Sequence, residues 1–527
     1  MRTVRDAVFD VLAQYGVSRM FANPGSTEVD FLTDLTPDVD FVLALHEGAV
    51  IGLATGEAIA SGRPTLALLH TTAGYGNAVG AIATARANRA PMVILVGQQD
   101  RRHLASEPFL AGRLHGLAGT YPVSVREPAR AQDLPAIVAR AYHDAAAHSG
   151  PAVVLVPMGD WNEPADDTIA LPAPATLVQA RGADPVAVRR LVTAIDAAVS
   201  PVLVVGSGTD RPETWRALGR LAERLGCPVW SEAHAARAGF DQTSPRFAGH
   251  LPAHRGRLRA ALAGHDLVVV VGGPAFRQYL WADGPFVSPG TDVVVVVEDH
   301  DEAAFSAASL AVVGPLAAVV DAAAGGVRPR QPQEVTRTLP TVPERPRDGE
   351  LMHPAHVFTA LQSRLPAEAT LIEESPSTRG LLLDLMPARA PLGFLTPAMG
   401  GLGFALAAAT GVKLALPERP VVAVVGDGAS LYNIQAVWSA AHYAAGALFV
   451  IMSNGGYAVM DRLAVNAGGK PPWPSFGEIS VSTIARGFGC PSVRLESHPD
   501  LVAVLDEVMP TLGSRREPLL LDVAVSS

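Results

Sequence analysis

The chain has 527 residues, of which 49% are hydrophobic and 17% charged, with a formal net charge of −10. That length exceeds what one hydrophobic core supports, and the low charge leaves apolar surface to bury in several domains and in an oligomer. An acidic balance with no basic run and few aromatics argues against a nucleic-acid partner.

The first stretch, "MRTVRDAVFDVLAQYGV", has apolar residues at helical spacing and predicts an amphipathic helix rather than a signal peptide. Strands are predicted at "FVLAL" (41–45), "TLALLH" (65–70), "MVILVG" (92–97) and "AVVLVP" (152–157), with helical segments between them. A polar, Pro- and Ala-rich break follows at 162–177. A second set of strands is predicted at "PVLVVG" (201–206), "LVVVVG" (267–272) and "VVVVVE" (293–298). The stretch 325–350 has proline and charge but no periodicity, and reads as a crossing linker. A third set lies at "VVAVVG" (421–426), "LFVIMS" (448–453) and "LLLDVAV" (519–525). Continuous Val/Leu runs suit parallel strands covered on both faces, and their alternation with helices predicts an α/β protein of repeated βαβ units. Three doubly wound parallel-sheet domains are expected: 1–170, 180–325 and 353–527, with a linker at 326–352. No run of about 18 apolar residues marks a membrane span. Cys227 and Cys490 each stand between glycine and proline, too few for a disulfide framework. Buried packing is expected for both, in a reduced cytoplasm.

The third set carries the first chemical signal. Strand 421–426 ends in Gly426-Asp427-Gly428, and strand 448–453 ends at Asn454-Gly455-Gly456. If the helix near 432–445 joins neighbouring parallel strands, Asp427 and Asn454 lie side by side where α/β sheets bind ligands. A bare GDG is also a plain turn. With Asn454 and a nearby carbonyl, however, it makes a hard-oxygen site suited to Mg²⁺ bridging to a diphosphate, beside the amides of a helix N-terminus.

The stretch from Gly426 to Tyr457 resembles the diphosphate-binding motif of thiamine diphosphate enzymes, which runs from GDG to an asparagine at this spacing. "FANPGSTE" (21–28), "ALHEGAV" (44–50), "LLHTTAGYGNAVGA" (68–81), "VGQQ" (96–99) and "GGLGFALAAA" (400–409) complete, in the right order, a resemblance to the 2-keto acid decarboxylases, and within them to the benzoylformate decarboxylases. The resemblance implies a pyrimidine-binding domain at 1–170, a middle domain at 180–325 and a diphosphate-binding domain at 353–527. It implies Asp427, Asn454 and the Gly456 carbonyl as metal ligands, with Gly428, Ala429, Ser430, Ser377 and Tyr457 at the cofactor. Leu402 would prop the bent cofactor, and Gly400 would offer it a carbonyl. Glu47, after an apolar strand, would be the carboxyl facing the aminopyrimidine; burial should favour its protonated form. A plain charge at a helix N-terminus is the alternative.

By the same resemblance Ser26 would bind the substrate carboxylate and His70 would position substrate and relay protons. Phe109, Leu110, Pro376, Val459, Met460 and Leu463 would line an apolar pocket; core packing is the alternative for each. Asp461 and Arg462 could equally form a surface pair. One departure stands out. The family has a second active-site histidine in a middle-domain segment beginning Phe-Arg, but here "PAFRQYLWADG" has none and Tyr279 falls near that place. Tyrosine is a poor proton shuttle at neutral pH. His46 and His103 could substitute, or could be cap and surface residues. "VVGSGTD" (204–210) lacks the full GxGxxG, so no FAD is expected. The implied protein decarboxylates an aryl or bulky 2-keto acid without oxidation, in a homodimer or homotetramer with active sites between subunits. The alternatives are a thiamine-dependent carboligase, a flavin-bearing relative such as an acetolactate synthase or pyruvate oxidase, and a non-catalytic cofactor-binding subunit.

Overall fold

The structure, a computed structural model, describes all residues except 167, 169–176, 179 and 348. Most of the break at 162–177, with the expected end of the first domain at 170, and one linker position therefore lie outside the described residues. The opening helix forms at Val4–Gln14, capped reciprocally by Thr3 and Asp6.

Three six-stranded sheets follow one another along the chain. The first contains β1 (Arg19–Asn23), β2 (Asp40–Leu43), β3 (Thr65–Leu69), β4 (Met92–Gln98), β5 (Ser124–Arg126) and β6 (Pro151–Pro157), in the order β2-β1-β3-β4-β6-β5. The second contains β7 (Pro201–Val205), β8 (Val229–Ser231), β9 (Phe247–His250), β10 (Leu267–Val271), β11 (Asp292–Val297) and β12 (Leu310–Val313), in the order β12-β11-β10-β7-β8-β9. The third contains β13 (Thr370–Glu374), β14 (Phe394–Leu395), β15 (Val421–Gly426), β16 (Leu448–Ser453), β17 (Ser492–Leu495) and β18 (Leu519–Ala524), in the order β14-β13-β15-β16-β18-β17. Neighbours within each sheet run parallel. All the apolar runs read from the sequence form strands. The first ends early, at Leu43, because a helix starts at Glu47.

The first and third sheets share one hydrophobic core, from Phe21 and Leu155 to Val425 and Phe449. Two helices weld it: α1 (Glu47–Ser61) and α2 (Ala405–Ala415). They meet backbone to backbone because glycine and alanine occupy the contact. A Cβ on Gly56 would stand 2.1 Å from the Ala408 carbonyl oxygen, and one on Gly411 would stand 2.0 Å from that of Leu53. The second sheet reaches the third through hydrogen bonds. Thr396 N–H donates to the Ala236 carbonyl (2.9 Å), and Leu392 N–H to the half-buried Asp210 carboxylate (2.8 Å). Asn88 of the first unit grips the same loop from the other side, donating to the Thr396 carbonyl (3.0 Å) and accepting from Ala398 N–H (2.8 Å).

Both cysteines are buried and free, and burial pushes each thiol up to about 12, as packing residues require. Among the described residues no helix is long and apolar enough to cross a membrane.

Gly411→Ala should therefore destabilise the protein by about 1–3 kcal/mol, the usual range for overpacking, read as a lower midpoint in chemical denaturation. A change under about 0.5 kcal/mol, typical of a surface site, would mean that the helix pair is loosely packed.

Candidate active site

β15 and β16 are adjacent, with Gly426 opposite Met452, so Asp427 and Asn454 leave the sheet side by side. The Asp427 carboxylate is buried and organises both turns. One oxygen accepts from Gly428 N–H (2.7 Å); the other accepts from Asn454 N–H (3.0 Å) and Gly455 N–H (2.7 Å). Burial raises the proton affinity of this carboxyl, and the backbone donors oppose that shift. The Asn454 side-chain oxygen accepts from Gly456 N–H (3.2 Å). Gly428 has no room for a side chain: a Cβ would stand 2.5 Å from the Tyr457 ring.

These turns open into a cavity of about 1030 Å³. Gly400, Leu402, Ser377, Pro376, Asp427, Gly428, Ala429, Asn454, Gly456, Tyr457, Val459, Met460, Leu463 and Tyr279 all line it. Ser430 is the exception: it is buried, and its hydroxyl donates to the Asp427 carbonyl (2.7 Å), so it braces the turn from behind. Gly400 has φ +68, and its Cβ position faces open space, as does that of Gly456. Ser377 accepts from Val459 N–H (3.1 Å) at the start of helix α3 (Ala458–Asn466), and its own hydroxyl proton has no acceptor among the described residues. Asp461 and Arg462 are not a surface pair. Asp461 accepts from the Trp473 indole (2.9 Å), and Arg462 donates to the Ser377 carbonyl (2.9 Å). Both bonds tie the cavity wall together.

Beneath the cavity, β13 ends in two buried glutamates. Glu373 accepts from Ser375 N–H (2.6 Å), Thr396 Oγ1 (2.9 Å) and Arg379. Glu374 accepts from Gly403 N–H (2.5 Å), Phe404 N–H (2.8 Å) and Ala405 N–H (2.6 Å), the start of α2. Burial dominates over these donors and pushes the Glu374 carboxyl up to about 8.

The N-terminal candidates form a second group. Glu47 is buried at the first turn of α1. Its two oxygens accept from the amides of Asn23 (3.0 Å) and Asn77 (3.1 Å). Thr27 and Glu28 hold His70 at Nδ1 (3.1 and 3.0 Å), and Gly25 N–H donates to the same Glu28 carboxylate (2.8 Å). Ser26 is exposed on the short turn between them. Phe109 is exposed, and Leu110 beside it has φ +67. None of Glu47, Ser26, His70, Phe109 or Leu110 lines the large cavity, whose walls within one chain begin at His234. His46 is the α1 N-cap, accepting from Gly48 N–H (3.0 Å), and His103 lies on an exposed loop near Gln99. Tyr279 is exposed at the cavity wall.

Sequence reasoning missed Asn23, Asn77, Thr27 and Glu28, which hold the candidates, and Trp473 and Glu374, which shape the cavity. "FANPGSTE" did contain the first, third and fourth of these. Among the described residues no cluster of three or more His, Cys, Asp or Glu could hold a metal ion. A cation at Asp427 would instead need amide, carbonyl and ligand oxygens. The protein's share of that set, from Asp427, Asn454 and Gly456, stands at the cavity wall and is of the oxygen type that a hard ion takes.

Family models match most of the chain: "Thiamine pyrophosphate enzyme, N-terminal TPP binding domain" over 2–118, the central domain over 188–323, and the C-terminal TPP binding domain over 378–523. The chain is 34% identical to benzoylformate decarboxylase of Pseudomonas aeruginosa over 99% of each protein. It is 29% identical to a putative acetolactate synthase large subunit of Mycobacterium tuberculosis, over 99% of this chain and 98% of that one. Two solved structures superpose closely. The thiamine diphosphate-dependent 4-hydroxybenzoylformate decarboxylase of Rhodococcus jostii gives a TM-score of 0.94 at 31% identity, covering 100% of this chain and 99% of that one. The benzoylformate decarboxylase of Polynucleobacter necessarius gives 0.93 at 30%, with the same coverage.

A carboxyl that holds its proton more tightly when folded contributes stability that is lost as pH rises. For Glu374 the window runs from the ordinary 4.5 to about 8. Melting curves across that range should show a shallower decline with pH for Glu374→Gln than for the parent. Identical slopes would show that Glu374 does not titrate there.

Proposed function

Because the chain belongs to the thiamine pyrophosphate enzyme family, we propose that it is a non-oxidative decarboxylase of an aryl or bulky 2-keto acid, of the benzoylformate type, releasing an aldehyde and CO₂. The observation that carries this reading is the pairing of Asp427 with Asn454 at adjacent strand tips, above a cavity walled by apolar side chains. When bound, thiamine diphosphate supplies an acidic ring carbon and an electron sink for the bond broken as CO₂ leaves.

The chain's own residues do the rest. Asp427, Asn454 and the Gly456 carbonyl would hold Mg²⁺, and the Ser377 hydroxyl and the Gly428–Ala429 turn would meet the diphosphate. Glu47, fixed by two amide donors, would hold a proton at the aminopyrimidine. His70 is oriented through Nδ1 by Glu28, which leaves Nε2 to exchange protons with substrate. Ser26 would donate to the substrate carboxylate. Val459, Met460, Leu463 and Pro376 supply apolar wall for the organic group. Tyr279 would face the same space with a hydroxyl in place of an imidazole.

The reading includes two copies of the chain. Glu47, Ser26 and His70 are absent from the cavity that contains Asp427, so a second copy would bring its Glu47 to this cavity. Exposed Phe109, Met399, Tyr432, Tyr457 and Trp281 are apolar surface of the kind that an interface covers. The reading includes no flavin. At the carboxyl end of the second sheet a Cβ on Gly206 would stand 2.6 Å from the Gly272 carbonyl oxygen, which supports a crevice closed by backbone.

Incubation with benzoylformate, thiamine diphosphate and Mg²⁺ should give benzaldehyde by NMR, dependent on the cofactor. A hydroxyketone as main product would favour the carboligase, and no turnover of any 2-keto acid would overturn the enzyme. Glu47→Gln should lower turnover by about 10²–10⁴-fold, the scale of a lost proton-transfer group. Co-expressing inactive Glu47→Gln and Asp427→Asn chains should restore roughly a quarter of the parental activity, since one site of each mixed two-fold dimer is intact. Silence in the mixture would place both residues in one chain's site.

A further inference from the structure

Besides Tyr279, the cavity wall contributed by the second sheet has polar side chains that the decarboxylase reading leaves unused. His234, Arg277 and Gln278 line it. His234 follows β8, and Arg277 and Gln278 follow β10. The Glu232 carboxylate lies behind them and joins the two loops, accepting from His234 N–H (2.9 Å) and Arg277 N–H (3.3 Å). The Gln278 amide nitrogen is already engaged, donating to the Arg277 carbonyl (2.9 Å), whereas the ends of the other two side chains remain unspent. Among the described residues the His234 ring has no hydrogen-bond partner, with Nε2 buried, and the buried Gln278 Oε1 has none either. The Arg277 guanidinium, half-buried, forms no ion pair among the described residues. Its neighbour Arg379 is already engaged by Glu373 and Thr396.

An arginine left without a carboxylate in a cavity wall is a ready partner for an anionic oxygen group. Glu232 does not neutralise it outright, because burial pushes that carboxyl up to about 7.

We propose that Arg277, with His234, forms a specificity subsite for a second, distal anionic group on the 2-keto acid, so that the preferred substrate class is a dianion such as an aryl glyoxylate bearing a ring carboxylate. This rests on the decarboxylase reading for the reaction but not for the binding. Arg277 would pair with the distal carboxylate, and a His234 ring N–H would complete its hydrogen bonds. No bond is made or broken at this subsite.

The test separates binding from turnover. Calorimetry on the protein loaded with thiamine diphosphate and Mg²⁺ compares benzoate with terephthalate, which differ by the distal carboxylate. Terephthalate should bind at least about tenfold more tightly, the discrimination expected of a site built for a polar group. Arg277→Met should bring the two to parity without changing benzoate affinity, and Arg277→Lys, which keeps the charge, should retain a preference. Equal affinities in the parent, or an Arg277→Lys protein that also falls to parity, would overturn the subsite. Kinetics with benzoylformate and 4-carboxybenzoylformate then tests the reaction. The carboxylated substrate should show the higher kcat/KM, and Arg277→Met should lower its kcat/KM selectively. If terephthalate binds through Arg277 but neither keto acid is converted, the decarboxylase reading fails and the subsite stands.

Discussion

The carboxyl group of Glu374 receives three consecutive backbone N–H groups at the start of α2, and much of the molecule is built from that point. Those donors belong to the orphan amides of a helix N-terminus, which a buried helix must satisfy somewhere. Satisfying them at the tip of β13 locks α2 to the third sheet. α2 in turn lies against α1 with no side chains between their backbones at Gly56 and Gly411. α1 begins with Glu47. A chain of rigid contacts thus leads from a strand tip under the cavity to the carboxylate of the other functional group, and Leu402 sits on the residue next to the first of the three donors.

Legibility in the sequence followed burial. β3, β4, β7, β10, β15 and β16 are covered on both faces and announce themselves as unbroken aliphatic runs. β5 and β17 are edge strands, half exposed and compositionally mixed, and no periodicity reveals them. β13 was hidden differently: its last two residues are glutamates, charged in water but buried here by specific donors. The site divides along the same line. Asp427 and Asn454 were legible because each ends an aliphatic strand in a glycine turn. The hold of Glu28 on His70 was not, because it joins side chains 42 positions apart that only the sheet brings together. The second sheet's polar wall was half legible: "PAFRQYLWADG" marked the Arg277 loop by resemblance, whereas the His234 loop has no pattern of its own.

The two groups of candidate residues differ in how they are fixed. Around Asp427 the backbone does the holding, through N–H donors and glycines packed against an aromatic ring. Around Glu47 and His70 side chains do it: two asparagine amides, a threonine and a glutamate. Backbone-held geometry tolerates substitution elsewhere but not at the glycines. Side-chain-held geometry can be retuned one residue at a time, which would suit the proton exchange we propose for Glu47 and His70.

The segment joining the second and third units is laced to both. Gln333 N–H donates to Gly226, Arg337 reaches the carbonyls of Gln242 and Asp384, and His356 meets the Pro343 carbonyl. With the first and third sheets sharing one core, the chain's continuity there adds little to what already holds the pieces together. A protease that nicked this segment would leave a non-covalent complex of unchanged size, and the two fragments would separate only under denaturing conditions. The molecule is, in mechanical terms, one body threaded three times rather than three beads on a string.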